Sequence, residues 1–97
     1  MEKQSNEGYR MLIAALLSLE NEEECEQFLE DLMTKKEMTD ISQRLEVAKM
    51  ISEQAVYNRI VEATGASTAT ISRVNRAYRY GTGGYAKILE RIKEEQA

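Results

Sequence analysis

The sequence predicts an all-α fold of about six helices, and three observations carry that expectation. No proline occurs in the 97 residues, so no helix interior is broken by one. Apolar residues recur at helical spacing along almost the whole chain. Capping residues or glycines stand where one apolar stripe gives way to the next.

The elements follow in order. Tyr9, Leu12, Ile13, Leu16 and Leu17 form the first stripe. Asn21 is an N-cap, and Glu24 completes a capping box three residues on. Glu22, Glu23 and Glu24 make an acidic first turn, which suits the positive end of the helix dipole. Cys25, Phe28, Leu29, Leu32 and Met33 form the second stripe. Thr34 with Glu37 makes another capping box, and Met38, Ile41, Leu45, Ala48 and Ile51 give the third helix its apolar face. A short helix runs from Val56 to Thr64, and Gly65 is placed to end it in the left-handed conformation. Ser67 caps the next helix, which carries Ile71, Val74 and Tyr78 on one side. Gly81, Gly83 and Gly84 form a joint before a last helix through Tyr85, Ile88, Leu89 and Ile92. The glycine cluster lacks the lysine and the spacing of a phosphate loop.

The length suits a single domain, residues 1–97, with a helix-turn-helix over about 56–80. Six helices in so short a chain cannot all be well buried in a monomer. The wide stripes of the first three therefore predict packing against a second copy, as a homodimer. Cys25 is the only cysteine, which predicts a reducing compartment and a core role for that thiol. Histidine is absent. The commonest general base and metal ligand are then missing, and the expectation is a protein that is not an enzyme and has no cofactor or metal. The longest apolar run, Met11 to Leu17, is far shorter than the roughly 20 residues of a membrane span. The start, Met1 to Glu7, lacks the basic region of a signal peptide. A cytoplasmic protein without membrane contact is expected.

The net charge of −4 argues at first against nucleic acid, but the distribution reverses that reading. Residues 1–34 hold nine acids and two bases, a balance of −7; residues 35–97 hold eight acids and eleven bases, a balance of +3. Between Tyr57 and Tyr80, Arg59, Arg73, Arg76 and Arg79 face only Glu62. An acidic protein can still present a basic face to DNA.

Residues 57–76 read YNRIVEATGASTATISRVNR. A helix-turn-helix needs two short helices and a tight turn, so that the second helix can enter the major groove. Gly65 supplies the residue free to take positive φ. Ile60, Ala66, Ile71 and Val74 sit where they can lock the helices together, and Thr68, Ala69, Ser72, Arg73 and Arg76 lie on the outer face. Small and hydroxyl-bearing side chains allow close approach to base edges, while arginines reach phosphates or guanine.

The run Gly65 to Arg73 is similar to the reading-head segment of the Trp repressor. Gln43 to Ala48, followed by TGASTATISRV, resembles still more closely the YerC/YecD family of Trp-repressor-like proteins. The resemblance extends from about Leu16 to Lys93. It implies an intertwined homodimer in which the first three helices and the last make a shared core and the two helix-turn-helix units project as heads. It places DNA-reading positions on Thr68, Ala69 and Ser72, with Thr70 and Asn58 near the backbone. With the cap Ser67 and the phosphate-anchoring Arg73 and Arg76, these form the expected DNA-binding set. Val61 stands where the Trp repressor has a lysine that supports DNA binding. The family's two ligand-holding arginines fall on Arg73 and, with a one-residue gap, on Arg44. Val74 stands where a glycine leaves room for the indole ring, which predicts that tryptophan is not the corepressor and leaves open whether another small molecule binds.

The resulting expectation is a sequence-specific transcription regulator acting on a palindromic operator. Two alternatives stand beside it: a protein-interaction module that has kept the fold, favoured by the acidic N-terminal half, and the DNA-binding head of a transposase, disfavoured because only about twenty residues follow the head.

Overall fold

Local chemistry sets most of the helix ends. In the computed structural model, which describes the backbone of residues 2–96 and the side chains of residues 6–93, six helices and no strand are found among the described residues. They are α1 (Glu2–Leu17), α2 (Glu22–Leu32), α3 (Lys35–Ser52), α4 (Tyr57–Thr64), α5 (Thr68–Tyr80) and α6 (Gly84–Gln96). Of the start read for a leader peptide, the side chains of residues 1–5 lie outside the described set. No described helix is long and apolar enough to cross a membrane.

The chain divides into two compact units, residues 1–38 and 39–97, with the division inside α3. In the first unit, Asn21 Oδ1 accepts from Glu24 N–H at 2.9 Å. The Glu24 carboxylate reaches Glu20 N–H at 3.0 Å rather than the cap residue's own N–H, so the box is closed one residue further out than its pattern suggests. Thr34 and Glu37 form the full reciprocal box, with bonds of 3.0 and 2.9 Å. None of the described side chains from Asn6 to Met38 is buried. Leu12, Ile13, Leu16 and Leu17 of α1 and Leu32 of α2 are all exposed.

The second unit holds the whole core. Val47, Ala48 and Ile51 of α3 cluster with Ile60 of α4, Ala66 of the turn, Ile71 and Val74 of α5, and Leu89 of α6. Val47, Ile60 and Ile71 are fully enclosed. The expected apolar face of α3 needs correction. Ala48 and Ile51 are buried with Val47, but Ile41 and Leu45 are exposed. At 100° per residue Leu45 lies about 160° from Val47, whereas Ile41 lies only about 20° from buried Ala48 but about two turns nearer the start of the helix. The helix has two apolar stripes, and the one through Ile41 and Leu45 reaches this core only at its later end, through Ala48.

α4 begins at Tyr57, with Val56 as its N-cap, one residue later than expected. The end of α3 is a Schellman turn: Ala55 N–H bonds Met50 O at 3.0 Å and Gln54 N–H bonds Ile51 O at 2.9 Å. Gln54 occupies the position usually held by glycine, at φ 66°. A left-handed conformation costs a residue with a Cβ roughly 1–2 kcal/mol, partly offset by the extra freedom glycine has when unfolded. Gln54→Gly is therefore expected to raise stability by about 0.5–1 kcal/mol in urea denaturation; a loss of stability would show that the glutamine side chain stabilises the turn. At the end of α5, Gly81 is required for space: a Cβ there would collide with the Ala77 carbonyl oxygen.

Candidate nucleic-acid interface

Two helices and the turn between them make the site. α4 ends at Gly65, whose φ of 74° is left-handed and whose N–H bonds Val61 O at 2.8 Å. A Cβ at Gly65 would meet nothing within 4 Å, so glycine is needed there for its backbone conformation alone. Thr64 closes the turn from within. Its hydroxyl donates to Ile60 O at 2.7 Å and accepts from Ala66 N–H at 3.1 Å. Its carbonyl, left without an intrahelical partner at the end of α4, accepts from Gln43 Nε2 of α3 at 3.0 Å. Ser67 Oγ then caps α5 by accepting from Thr70 N–H at 3.1 Å and donating to Thr70 Oγ1 at 3.1 Å. Buried Ala66, Ile60, Ile71 and Val74 press the two helices together.

The sequence-expected residues are placed as follows. Thr68, Ala69, Ser72 and Arg76 share the exposed side of α5, opposite Ile71 and Val74. Arg73 is also exposed, at the edge of that side, and Asn58 is exposed on the first turn of α4. Among the described residues, no side-chain hydrogen bond or ion pair engages Thr68, Ser72, Arg73 or Arg76. Ser67 and Thr70 differ from these. Thr70 is half-buried, and the hydroxyls of both are used in capping α5, so their part in this geometry is to fix the first turn of the helix. Val61 is half-buried against the core, and Val74 lies in it.

Sequence reasoning left one residue of this face out of the set. Arg79 lies four positions beyond Asn75, and its Nε donates to Asn75 Oδ1 at 2.8 Å. It is eleven residues from Thr68, about three helical turns, and so falls on the row of Thr68 and Ser72. That spacing was a signal available in the sequence.

With its exposed hydroxyls, small side chains and arginines, and with Glu62 as the only acid between Tyr57 and Tyr80, the face can accept and donate hydrogen bonds and neutralise phosphate charge. The profile of the Trp repressor protein family matches residues 7–93. YerC of Bacillus subtilis (strain 168) is 48% identical over 85 residues, 88% of this chain and 82% of that protein. A TrpR-like protein from Eubacterium eligens ATCC 27750 superimposes with a TM-score of 0.88 at 46% identity, covering 96% of both chains. A protein from Staphylococcus aureus, provisionally named a Trp repressor, gives 0.87 at 48% identity over 95% of this chain and 92% of that one.

Proposed function

We propose, from the premise that this chain belongs to the Trp repressor family, that it is a sequence-specific DNA-binding transcription regulator acting as a homodimer on a palindromic operator. The observation that carries the reading is the head: a left-handed Gly65 pivot, a capped second helix, and an unpaired outer face of Thr68, Ala69, Ser72 and Arg76. That face is sized and charged for a major groove. Arg73 and Arg76 anchor phosphates, Thr68, Ala69 and Ser72 face bases, and Asn58 lies by the backbone. Ser67 and Thr70 hold the N-terminal end of the reading helix in place. The protein works where the DNA is, in the cytoplasm, and catalyses no reaction.

The homodimer is supported by the distribution of burial. A helical segment without a buried side chain gains little to offset its conformational entropy. Residues 6–38 are such a segment, and the second stripe of α3 adds exposed Ile41 and Leu45. A second copy of the same surface is the simplest cover for both, because closed two-fold interfaces are self-complementary.

Selection of bound duplexes from a random pool tests the reading directly. Enriched sites should be palindromic, with half-site centres about 34 Å apart if two successive major grooves are read. Ser72→Ala and Arg76→Ala should then separate. The first should alter base preference at one position, by about 1–3 kcal/mol where the contact is a good one. The second should weaken binding to all sequences alike and flatten its salt dependence. No enrichment from the pool would favour a protein-interaction role for the fold.

A further inference from the structure

We propose that a cup at the far end of the head is a clamp for a phosphate of the DNA backbone, with Arg79 as the contacting residue and Asn75 as its positioning residue. The inference rests on the DNA-binding reading and extends the interface beyond Arg73 and Arg76.

The cup lies where the end of α3, the start of α4 and the later turns of α5 meet, and its volume is about 380 Å³. Ser52, Gln54, Tyr57, Asn75, Tyr78 and Arg79 supply its polar lining, and no acidic residue lines it. Phenol, amide and guanidinium groups can donate hydrogen bonds, whereas the Ser52 hydroxyl already donates to Lys49 O at 2.6 Å, and the one formal charge is positive. That chemistry fits an anion.

Arg79 is prepared for this. Its Nε is held by Asn75 at 2.8 Å, so the stem is fixed while the two terminal nitrogens keep their donors. A guanidinium oriented in this way loses less freedom on taking a phosphate oxygen pair. Among the described residues, no carboxylate competes for it.

Position decides which anion. Eleven residues of helix place Arg79 about 16 Å along the axis from Thr68. Recognition helices read bases with their N-terminal residues, and a major groove is about 12 Å wide. A side chain 16 Å behind the reading end stands beyond the groove, where the phosphate backbone runs. Gln54, at its costly φ of 66°, lines the same cup, where a glycine would fit the turn but bring no donor.

The test is fluorescence anisotropy on a mixed-sequence duplex at several salt concentrations. Arg79→Ala should bind about fivefold more weakly near physiological salt, with a log–log salt slope smaller by about 0.9, the signature of one lost phosphate contact. Its thermal midpoint should not move, because Arg79 is exposed. Asn75→Ala should give a smaller loss, and the double variant should match Arg79→Ala alone. Full additivity would remove Asn75 from its positioning role. Unchanged affinity and slope in Arg79→Ala, with the parent chain binding well, would overturn the clamp and leave the reading face intact. Failure of the parent chain to bind any duplex would overturn both.

A free phosphate-bearing molecule would meet the same donors, so a second arm follows the Arg79 Nε–H resonance by NMR. It should shift on addition of duplex and stay in place in inorganic phosphate at equal phosphate concentration. The reverse pattern would assign the cup to a free anion and overturn the backbone clamp.

Discussion

Val74→Gly should cost about 3–4 kcal/mol of stability, and the parent chain should give no heat of binding with millimolar tryptophan. Both expectations have one origin. Val74 is 3% exposed and belongs to the cluster that joins α3, α4, α5 and α6. Removing a buried isopropyl group forfeits roughly 1.5–3 kcal/mol of transfer free energy. Glycine in a helix interior adds about 1 kcal/mol, and whatever cavity remains adds more. Urea denaturation measures the sum. Val74→Ala, which keeps a good helix former, separates lost packing from backbone freedom. The ligand half follows from the same carbons. The resemblance puts a glycine here to make room for a flat indole, whereas in this chain the space is occupied by a β-branched group with a single preferred rotamer. Arg73 is then free for DNA rather than for a carboxylate. A sub-millimolar dissociation constant for tryptophan by isothermal titration, with tighter DNA binding in its presence, would refute this.

On the homodimer proposed above, Leu16→Asp should convert dimer to monomer at micromolar concentration, weakening self-association more than a hundredfold. Leu16 lies in the stripe of α1 that includes Leu12 and Ile13, in a unit whose described side chains are all at least partly exposed. A carboxylate at the centre of an apolar interface must be desolvated without a partner, which costs several kcal/mol. Leu16→Met, of similar volume, should keep the dimer. Sedimentation equilibrium reads both. A parent chain that sediments as a monomer would end the homodimer reading, and a dimer that survives the aspartate would move the interface away from α1.

The parts of this molecule that were legible in the sequence are those fixed within three or four residues. Asn21, Thr34, Gly65 and Ser67 all end or begin helices as their local chemistry requires. The four residues expected to lock the head, Ile60, Ala66, Ile71 and Val74, are all buried. Reading failed where a helix offered two apolar sides. In α3 the periodic series through Ile41 and Leu45 was the more regular one, yet the head packs on Val47, and periodicity alone does not say which of two stripes meets which partner. Gln54 gave no sign of its left-handed conformation, because glutamine carries no turn preference of its own. The Gln43–Thr64 bond spans 21 residues, and only the fold brings its ends together. Arg79 was legible both as a charge and, with the helix expected to run to the glycines at 81, as a member of the row of Thr68; its Asn75 partner shows only in the structure.

If the head binds DNA as proposed, the internally closed turn between α4 and α5 sets how it must meet a duplex. Thr64, Gly65, Ala66 and Ser67 are each held by a bond of their own, and one of these runs back to α3. The relief presented to DNA is therefore fixed before contact. A rigid stylus does not remould itself around a poorly matched groove, so the strain of an imperfect fit passes to the softer partner, the DNA. Bending and twisting then become part of the code. Pyrimidine–purine steps flanking the contacted bases should favour occupancy although no side chain touches them, and an operator should be distinguished partly by how readily it yields.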